Sequence, residues 1–598
     1  MNSSKKPPKN PKVAFLRYLL PFWWQILLLF GGLLVQVWAG LQLPTIMATI
    51  IDQGIVNQNQ TLIWDQGFRM LVVASLGGVG MIITGFFAAR ISTSLAANLR
   101  SDIFKKIISF SITEIDQFST PSLITRTTND VQQLQQTSVL LLRVALQSPV
   151  MAIGATIMAI ATAPSLTWVI ALSVGILLAV VLMTIHIVLP KFKIIQKLID
   201  RLNLVTRENL TGLRVIRAFN NQPLEFKKFK KANDDVTSVN LFVGRAMSLL
   251  SPTIGLIFNF SVLGVIWFGA HLVESSTLAV GQLIAFMQYS IQVFLSFMFM
   301  TMTIILLPRA MVSWSRIREV LRTSNKIRPP DNPLTPKTAQ GIVEFRDVTF
   351  AYPGADRPVL QNISFTSHPG TITAIIGSTG SGKSTLLNLI PRFYDTTKGQ
   401  VLVDNINVRD YDFATLRKHI GFIPQKALLF TGTIAENIAF GTRATSRIPE
   451  AADIAQASEF IEKLEKTYST PVTRGGNNFS GGQKQRLSIA RALAKRPKIY
   501  LFDDSFSALD YKTDQKLRAA LKTVEKDANI IIVAQRISTI RQADQILVLD
   551  EGQLVGHGTH ADLMKSCSIY QEIARSQFSE AELKKESRTK KEDHASTR

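Results

Sequence analysis

Residues 371–385, TITAIIGSTGSGKST, combine residue types and spacing that could grip a phosphate. A run of apolar, β-favouring positions leads directly into Gly377, Ser378, Thr379, Gly380, Ser381, Gly382, Lys383, Ser384 and Thr385, the spacing of a phosphate-binding loop between a buried strand and a helix. The glycines let backbone N–H groups turn inward on a phosphate. Lys383 reaches the β/γ-phosphates, and Ser384 offers its hydroxyl to Mg²⁺ at a positive helix N-terminus. At ordinary glycine usage of about 7%, such a pattern arises by accident in only a few per cent of chains of this length. A second segment at 498–504, KIYLFDD, reads as a buried strand ending in Asp503 and Asp504, an arrangement that lets Asp503 bind Mg²⁺ beside such a loop. The chemistry expected is binding of a nucleoside triphosphate with its metal.

The rest of the chain must place that site, and its composition is unusual for a soluble protein. The 598 residues are 46% hydrophobic, so membrane spans are expected first. One cysteine, Cys567, excludes an internal disulfide framework or a cysteine-rich metal centre. The formal charge of +23 would suit nucleic acid, but the chain has few of the mixed aromatic and basic clusters that such binding uses, and no nucleic-acid partner is expected. Residues 1–12 are basic and proline-broken, as in a disordered tail, and 13–20 place Val13, Leu16, Leu19 and Leu20 near one helical face, as in a helix on the membrane surface.

Apolar stretches at 22–48, 70–89, 139–161, 168–189, 249–273 and 283–307 are each long enough to cross a bilayer. The connections at 49–68, 162–166 and 274–281 contain no Lys or Arg, whereas 90–136 and 191–245 are rich in both. Positive charge stays inside, so both termini and the two long loops are expected in the cytoplasm. Those loops contain few breakers and read as helical continuations of the spans, projecting well beyond the membrane. Their tips, at 113–120 ahead of Pro121 and at 218–225 around Pro223, are expected to form short transverse helices. Polar groups within the spans are few: Arg143, His186, Asn259, His271, Gln288 and Gln292. Most read as residues reaching for the interface, while Gln288 and Gln292, deeper and one turn apart, are expected to face a water-filled cavity. The Phe- and Met-rich last span, including Phe286, Phe294, Met298, Met300 and Met302, suits either an adaptable apolar site or plain helix packing.

Beyond a proline-rich polar stretch at 325–340 the pattern changes to alternating strands and helices. The phosphate loop, then FSGGQ from Phe479 to Gln483, LFDD to Asp504 and SALD to Asp510, resembles the ATP-binding cassette (ABC) superfamily, and the spans with long loops resemble an ABC exporter half-transporter of the type IV fold. The resemblance covers nearly the whole chain. It implies an α-helical transmembrane domain at 21–321 after a tail and surface helix at 1–20, a linker at 322–340, an α/β P-loop ABC nucleotide-binding domain at 341–577 and a charged tail at 578–598. It also implies ATP and Mg²⁺ as cofactors, with Ser384, Gln425 and Asp503 toward the metal. Tyr352 matches the aromatic residue that stacks on adenine. Gln425 matches the Q-loop glutamine. Ser480, Gly481, Gly482 and Gln483 match the signature that closes on ATP held by an opposing cassette, and Asp510 matches the D-loop aspartate. Arg474 and Gly475 match a loop that contacts the partner, although Thr473 replaces its usual glutamate.

Two departures from the family pattern matter more. Asp504 stands where a glutamate polarises the attacking water, and Gln535 stands where a histidine contacts the γ-phosphate. Losing one methylene withdraws the carboxylate by roughly an ångström, a misplacement that can cost about 10²-fold in rate, and Gln535 is neutral. The pocket is thus expected to bind ATP and hydrolyse it poorly while the intact signature serves a partner. The resemblance then implies the degenerate-site subunit of a heterodimeric, bacterial multidrug exporter in the plasma membrane. Its partners would be a paralogous half-transporter with intact glutamate and histidine, membrane lipid, and a hydrophobic small-molecule substrate. A homodimeric lipid or drug exporter and a nucleotide-sensing regulator on the same scaffold are the alternatives.

Overall fold

The computed structural model describes residues 15–336, 338–442 and 444–577; the expected tails at 1–12 and 578–598 lie outside them. Two compact units emerge. One comprises the chain up to 108 with Ser119–Ser324, and the other joins Ser109–Phe118 to the chain from 325 onward.

Among the described residues of the first unit, six helical segments are long and apolar enough to cross a membrane: Leu16–Ile55, Gln60–Ser109, Thr120–Thr162, Pro164–Thr211, Gln222–Glu274 and Val280–Arg322. Each expected apolar core falls within one of them. The helix Gln60–Ser109 has 50 residues, about 75 Å at 1.5 Å per residue, against a hydrocarbon layer of about 30 Å. The helices therefore continue far past the apolar stretches, as the scarcity of breakers implied. The second loop tip differs from expectation. Its short helix is Leu213–Ala218, entered through Gly212, and Pro223 opens the next long helix instead of breaking it. Proline in a first turn forfeits no intrahelical hydrogen bond, so Pro223 starts a helix at no cost.

Gln292 also departs from expectation. Pro44 lies inside the first span and has no N–H to give the carbonyl of Gly40, four residues back. The Gln292 side-chain amide donates to that carbonyl at 3.0 Å, and Tyr289 donates to the neighbouring Leu41 carbonyl at 2.9 Å while its hydroxyl lies 2.7 Å from Thr45 Oγ1. Gln292 therefore mends a proline defect in the first span instead of facing water, because an unpaired carbonyl in an apolar layer is costly. Phe286 and Phe294 are buried in helix-packing clusters, whereas Met300 and Met302 are exposed.

The second unit is built on a six-stranded sheet in the order Gln553–Gly558, Gln545–Asp550, Ile372–Gly377, Asn529–Val533, Ile499–Asp503, Ile420–Ile423. All neighbours pair in parallel except the first two strands. Central strands buried on both faces read as continuous apolar runs, and their residues divide by alternation. Ile375, Leu501, Ile531 and Val533 enter one core, and Ile376, Phe502, Ile530 and Ile532 the other. A second, antiparallel sheet runs Leu360–Ser367, Val343–Phe350, Lys398–Val403, Ile406–Asn407. The proline-rich stretch is partly tied down, with the Leu334 N–H donating to the Asp410 carbonyl at 2.8 Å.

The first loop tip, Ser109–Phe118, belongs to this second unit. Its helix Ile112–Phe118 presents Ile112 to the core that contains Tyr394. Glu114, 1% exposed, accepts from Ser111 N–H at 2.8 Å and from Lys326 N–H at 3.1 Å, fastening the tip to the chain that leaves the last helix. Glu114→Ala strands two part-buried N–H groups that lose their acceptor, at a cost of up to about 1–3 kcal/mol each. The expected outcome is ATPase activity largely kept with substrate transport lost, read by assaying both on the same reconstituted preparation.

Candidate nucleotide site

Three adjacent parallel strands deliver the site at their carboxyl ends, where ligands of open α/β sheets bind. Ile372–Gly377 leads into the phosphate loop, Asn529–Val533 leads to Gln535, and Ile499–Asp503 ends in the paired carboxylates. The middle strand thus sets Gln535 between loop and carboxylates. The loop turns through Gly380 and Gly382, at φ +88° and +95°, into the helix Lys383–Leu389. At Gly382 a Cβ would also meet Leu360 Cδ2 at 2.7 Å, so sterics and backbone conformation both require glycine there.

Lys383 Nζ donates to the carbonyls of Gly377 at 2.9 Å and Ser378 at 2.6 Å. Burial pushes its pKa down, opposed by Asp504 and Asp503. Ser384 Oγ donates to Asp503 Oδ1 at 2.6 Å. A hydroxyl and a carboxylate so close form an oxygen-donor pair of the kind Mg²⁺ takes, with phosphate and water completing the shell. Among the described residues no cluster of three or more His, Cys, Asp or Glu competes for a metal. Ser384 and Asp503 would therefore hold Mg²⁺, which when bound neutralises phosphate charge.

Burial raises the pKa of Asp503, with the Asp504 charge adding to the effect and the Ser384 hydrogen bond opposing it. Its native pKa lies above its unfolded value, so ionisation opposes folding. That penalty is absent below the unfolded value, about 3.9, and complete above the native one. Asp503→Asn should therefore raise the thermal midpoint of the nucleotide-free chain at pH 7, by an increment that shrinks as the pH falls toward about 4. It should also remove the extra stabilisation that Mg²⁺ adds to ATP; both are read by thermal melting.

Asp504 has a left-handed backbone, φ +47°, and its N–H donates to the Val533 carbonyl at 3.0 Å. Two amides converge on one carboxylate oxygen: Gln535 Nε2 donates to Oδ2 at 3.0 Å and Gln425 Nε2 at 3.4 Å. Burial raises the Asp504 pKa, and the Gln425 hydrogen bond to its carboxylate opposes the rise. Ser507, the first residue of SALD, donates its hydroxyl to the Asp504 carbonyl at 2.8 Å. The structure thus joins the two departures, Asp504 and Gln535, in one hydrogen bond.

Tyr352 stands edge-on to Phe350 and Tyr394, with ring centroids 4.9 and 5.3 Å away, and its hydroxyl lies 2.9 Å from Thr385 Oγ1 on the phosphate-loop helix. The signature residues bond to one another. Ser480 caps the helix Gly481–Ala494, accepting from the Gln483 N–H at 3.3 Å, while the Gln483 side chain accepts from the Ser480 N–H at 2.9 Å. Asp510 caps the helix Tyr511–Glu525 through Thr513, and those hydrogen bonds hold its carboxyl below the usual range. Arg474 and Gly475 lie in the turn Arg474–Gly476, Gly475 at φ +67°. The residues expected at the nucleotide therefore fall into two sets, one around the phosphate loop and one at exposed helix starts.

Comparison with known proteins agrees with this architecture. Residues 26–297 match the family model described as ABC transporter transmembrane region, and 360–507 match the model described as ABC transporter. An ABC transporter ATP-binding protein of Mycobacterium tuberculosis is 44% identical over 550 residues, 91% of this chain and 94% of the relative. A second, from Bacillus subtilis, is 37% identical over 91% of this chain and 95% of its own length. An ATP-dependent lipid A-core flippase of Aromatoleum aromaticum is 32% identical over 86% of this chain and 85% of its own. Among solved structures, a bacterial Atm1-family ABC exporter with ATP bound superposes with a TM-score of 0.75, covering 95% of this chain and 100% of that one at 24% identity. The chain belongs to the ABC transporter family, as a multi-pass membrane half-transporter that carries its own ATP-binding domain.

Proposed function

We propose that this chain is the degenerate-site subunit of a heterodimeric exporter. In this reading its own pocket binds ATP for long periods and hydrolyses it poorly, while its signature, Ser480 to Gln483, completes the pocket of a paralogous partner that keeps the glutamate and histidine. The observation that carries it is the Asp504–Gln535 pair: a carboxylate one methylene short, with one oxygen engaged by two amides. An oxygen that accepts from Gln535 and Gln425 is less free to accept from an attacking water, and catalytic hydrogen bonds tolerate little misplacement.

The chain's residues divide the work. Lys383 exchanges the Gly377 and Ser378 carbonyls for phosphate oxygens, Tyr352 carries the base, and Ser384 with Asp503 holds the metal. Closure of the two cassettes brings the signature helix dipole onto the partner's nucleotide. The tip Ser109–Phe118, which packs into the same unit as Tyr352 and Tyr394, passes that closure to the spans and switches the cavity between inward and outward access. The cargo in this reading is a hydrophobic or amphiphilic drug-like compound, the site is the bacterial plasma membrane, and both termini are cytoplasmic, in keeping with the distribution of Lys and Arg. The test is ATPase activity of the purified chain alone and with candidate partners. Near-background turnover alone, restored by one partner and abolished when that partner's catalytic glutamate is replaced, is expected; brisk turnover by the isolated chain would instead indicate a homodimer.

A further inference from the structure

A cavity of about 920 Å³ opens among the third to sixth spans. Its wall is mostly apolar, including Ile185, Val188, Phe192 and Leu250. Three charged side chains interrupt it: Asp130, Arg309 and Arg316.

Asp130 is the unusual one. It ends a wide helical turn, Arg126–Asp130, in which an extra residue per turn re-aims the side chains; such turns concentrate at functional sites. The residue is 6% exposed, and Ser313 Oγ donates to Oδ1 at 2.9 Å. Its second oxygen, Oδ2, is buried and has no hydrogen-bond partner. A buried carboxylate oxygen without a donor is a standing cost that a cationic ligand would relieve. The neighbouring Arg126 does not serve, being engaged with Glu319 at 2.7 Å and with the Arg316 carbonyl at 2.9 Å. Arg309 and Arg316, by contrast, line the cavity with exposed side chains.

We propose that this cavity receives a zwitterionic amphiphile, with its ammonium at Asp130, its anionic group at Arg309 and Arg316, and its apolar tail along the Ile185–Leu250 wall. A purely cationic compound would meet two guanidinium groups, and a purely anionic one would leave Asp130 Oδ2 unpaired. The inference rests on the exporter reading and names its substrate class.

The test uses the full-length chain in micelles of an uncharged maltoside detergent without nucleotide, so that binding is read apart from pumping and no surrounding lipid is itself a zwitterion. Three probes of matched chain length are compared: lysophosphatidylethanolamine, lysophosphatidic acid and an alkylamine. The unmodified chain should bind the first at least about tenfold more tightly than either other probe, the preference that one relieved buried charge supports. Asp130→Asn, whose amide oxygen can still accept from Ser313, should erase the preference over lysophosphatidic acid. Arg309→Ala with Arg316→Ala should erase the preference over the alkylamine. Equal binding of the three probes by the unmodified chain overturns the proposal, and so does an Asp130→Asn variant that weakens all three alike, since that is the signature of a merely structural residue. Transport by the assembled pair, measured separately, tests the exporter reading itself.

Discussion

Changing Asp504 to glutamate and Gln535 to histidine together should raise hydrolysis in this chain's own pocket by about 10²-fold, the range that a one-ångström placement error costs. The measurement belongs in the assembled pair after the partner's catalytic glutamate has been changed to glutamine, so that all remaining turnover comes from this pocket. The geometry gives the reason for requiring both changes. Asp504 Oδ2 accepts from Gln535 at 3.0 Å and from Gln425 at 3.4 Å. Lengthening the carboxylate alone leaves an amide still competing for it, so Asp504→Glu by itself should recover less than the double variant. The left-handed φ of +47° at position 504 suits a short aspartate better than a glutamate, so thermal midpoints of the single and double variants are compared alongside their rates. An unchanged rate in the double variant would mean that something other than these two side chains limits the pocket.

The second large effect is expected at Gly481. A Cβ built there meets nothing within 4 Å, and its φ does not demand glycine. Within this chain, then, no contact explains the residue. Gly481 is the first residue of a helix capped by Ser480, where an added carboxylate would be locally favourable. Gly481→Asp should consequently leave the chain's thermal midpoint and its own ATP binding unchanged. In the assembled pair it places a negative charge against the partner's nucleotide, and turnover should fall by about 10² to 10³-fold, the size of losing one preorganised phosphate-facing donor. Normal turnover by the pair would sink the idea that this signature serves a partner's site.

Together the two variants separate the roles of one chain in two pockets. The first improves the site this chain holds, and the second spoils the site it lends. A homodimer would respond differently, since each substitution would then act on both pockets at once and the unmodified chain would already turn over alone.

Much was legible from sequence because it is local. The phosphate loop is one contiguous strand, turn and helix start, whose glycines and Lys383 declare themselves by spacing. The spans follow from uninterrupted apolar length, and the long helical extensions from the lack of breakers between 90 and 109. The charge of the connecting loops gives an expected orientation by the same local reasoning. Asp504 and Gln535 each stood out singly against the family pattern.

What the tertiary structure alone decided is how distant residues meet. Asp504, Gln425 and Gln535 come from three separate strand ends and share one oxygen only because those strands lie in one sheet. Gln292 looked like a cavity residue by its depth in the membrane, but Pro44, some 250 positions earlier, leaves a carbonyl that claims its amide. Glu114 joins a loop tip to Lys326, and Asp130 gains its buried, half-satisfied carboxylate from Ser313 on another helix. Spacing along a chain fixes what backbone and side chain can do locally; which buried polar group finds a partner, and which is left for a ligand, is set by packing between segments far apart in sequence.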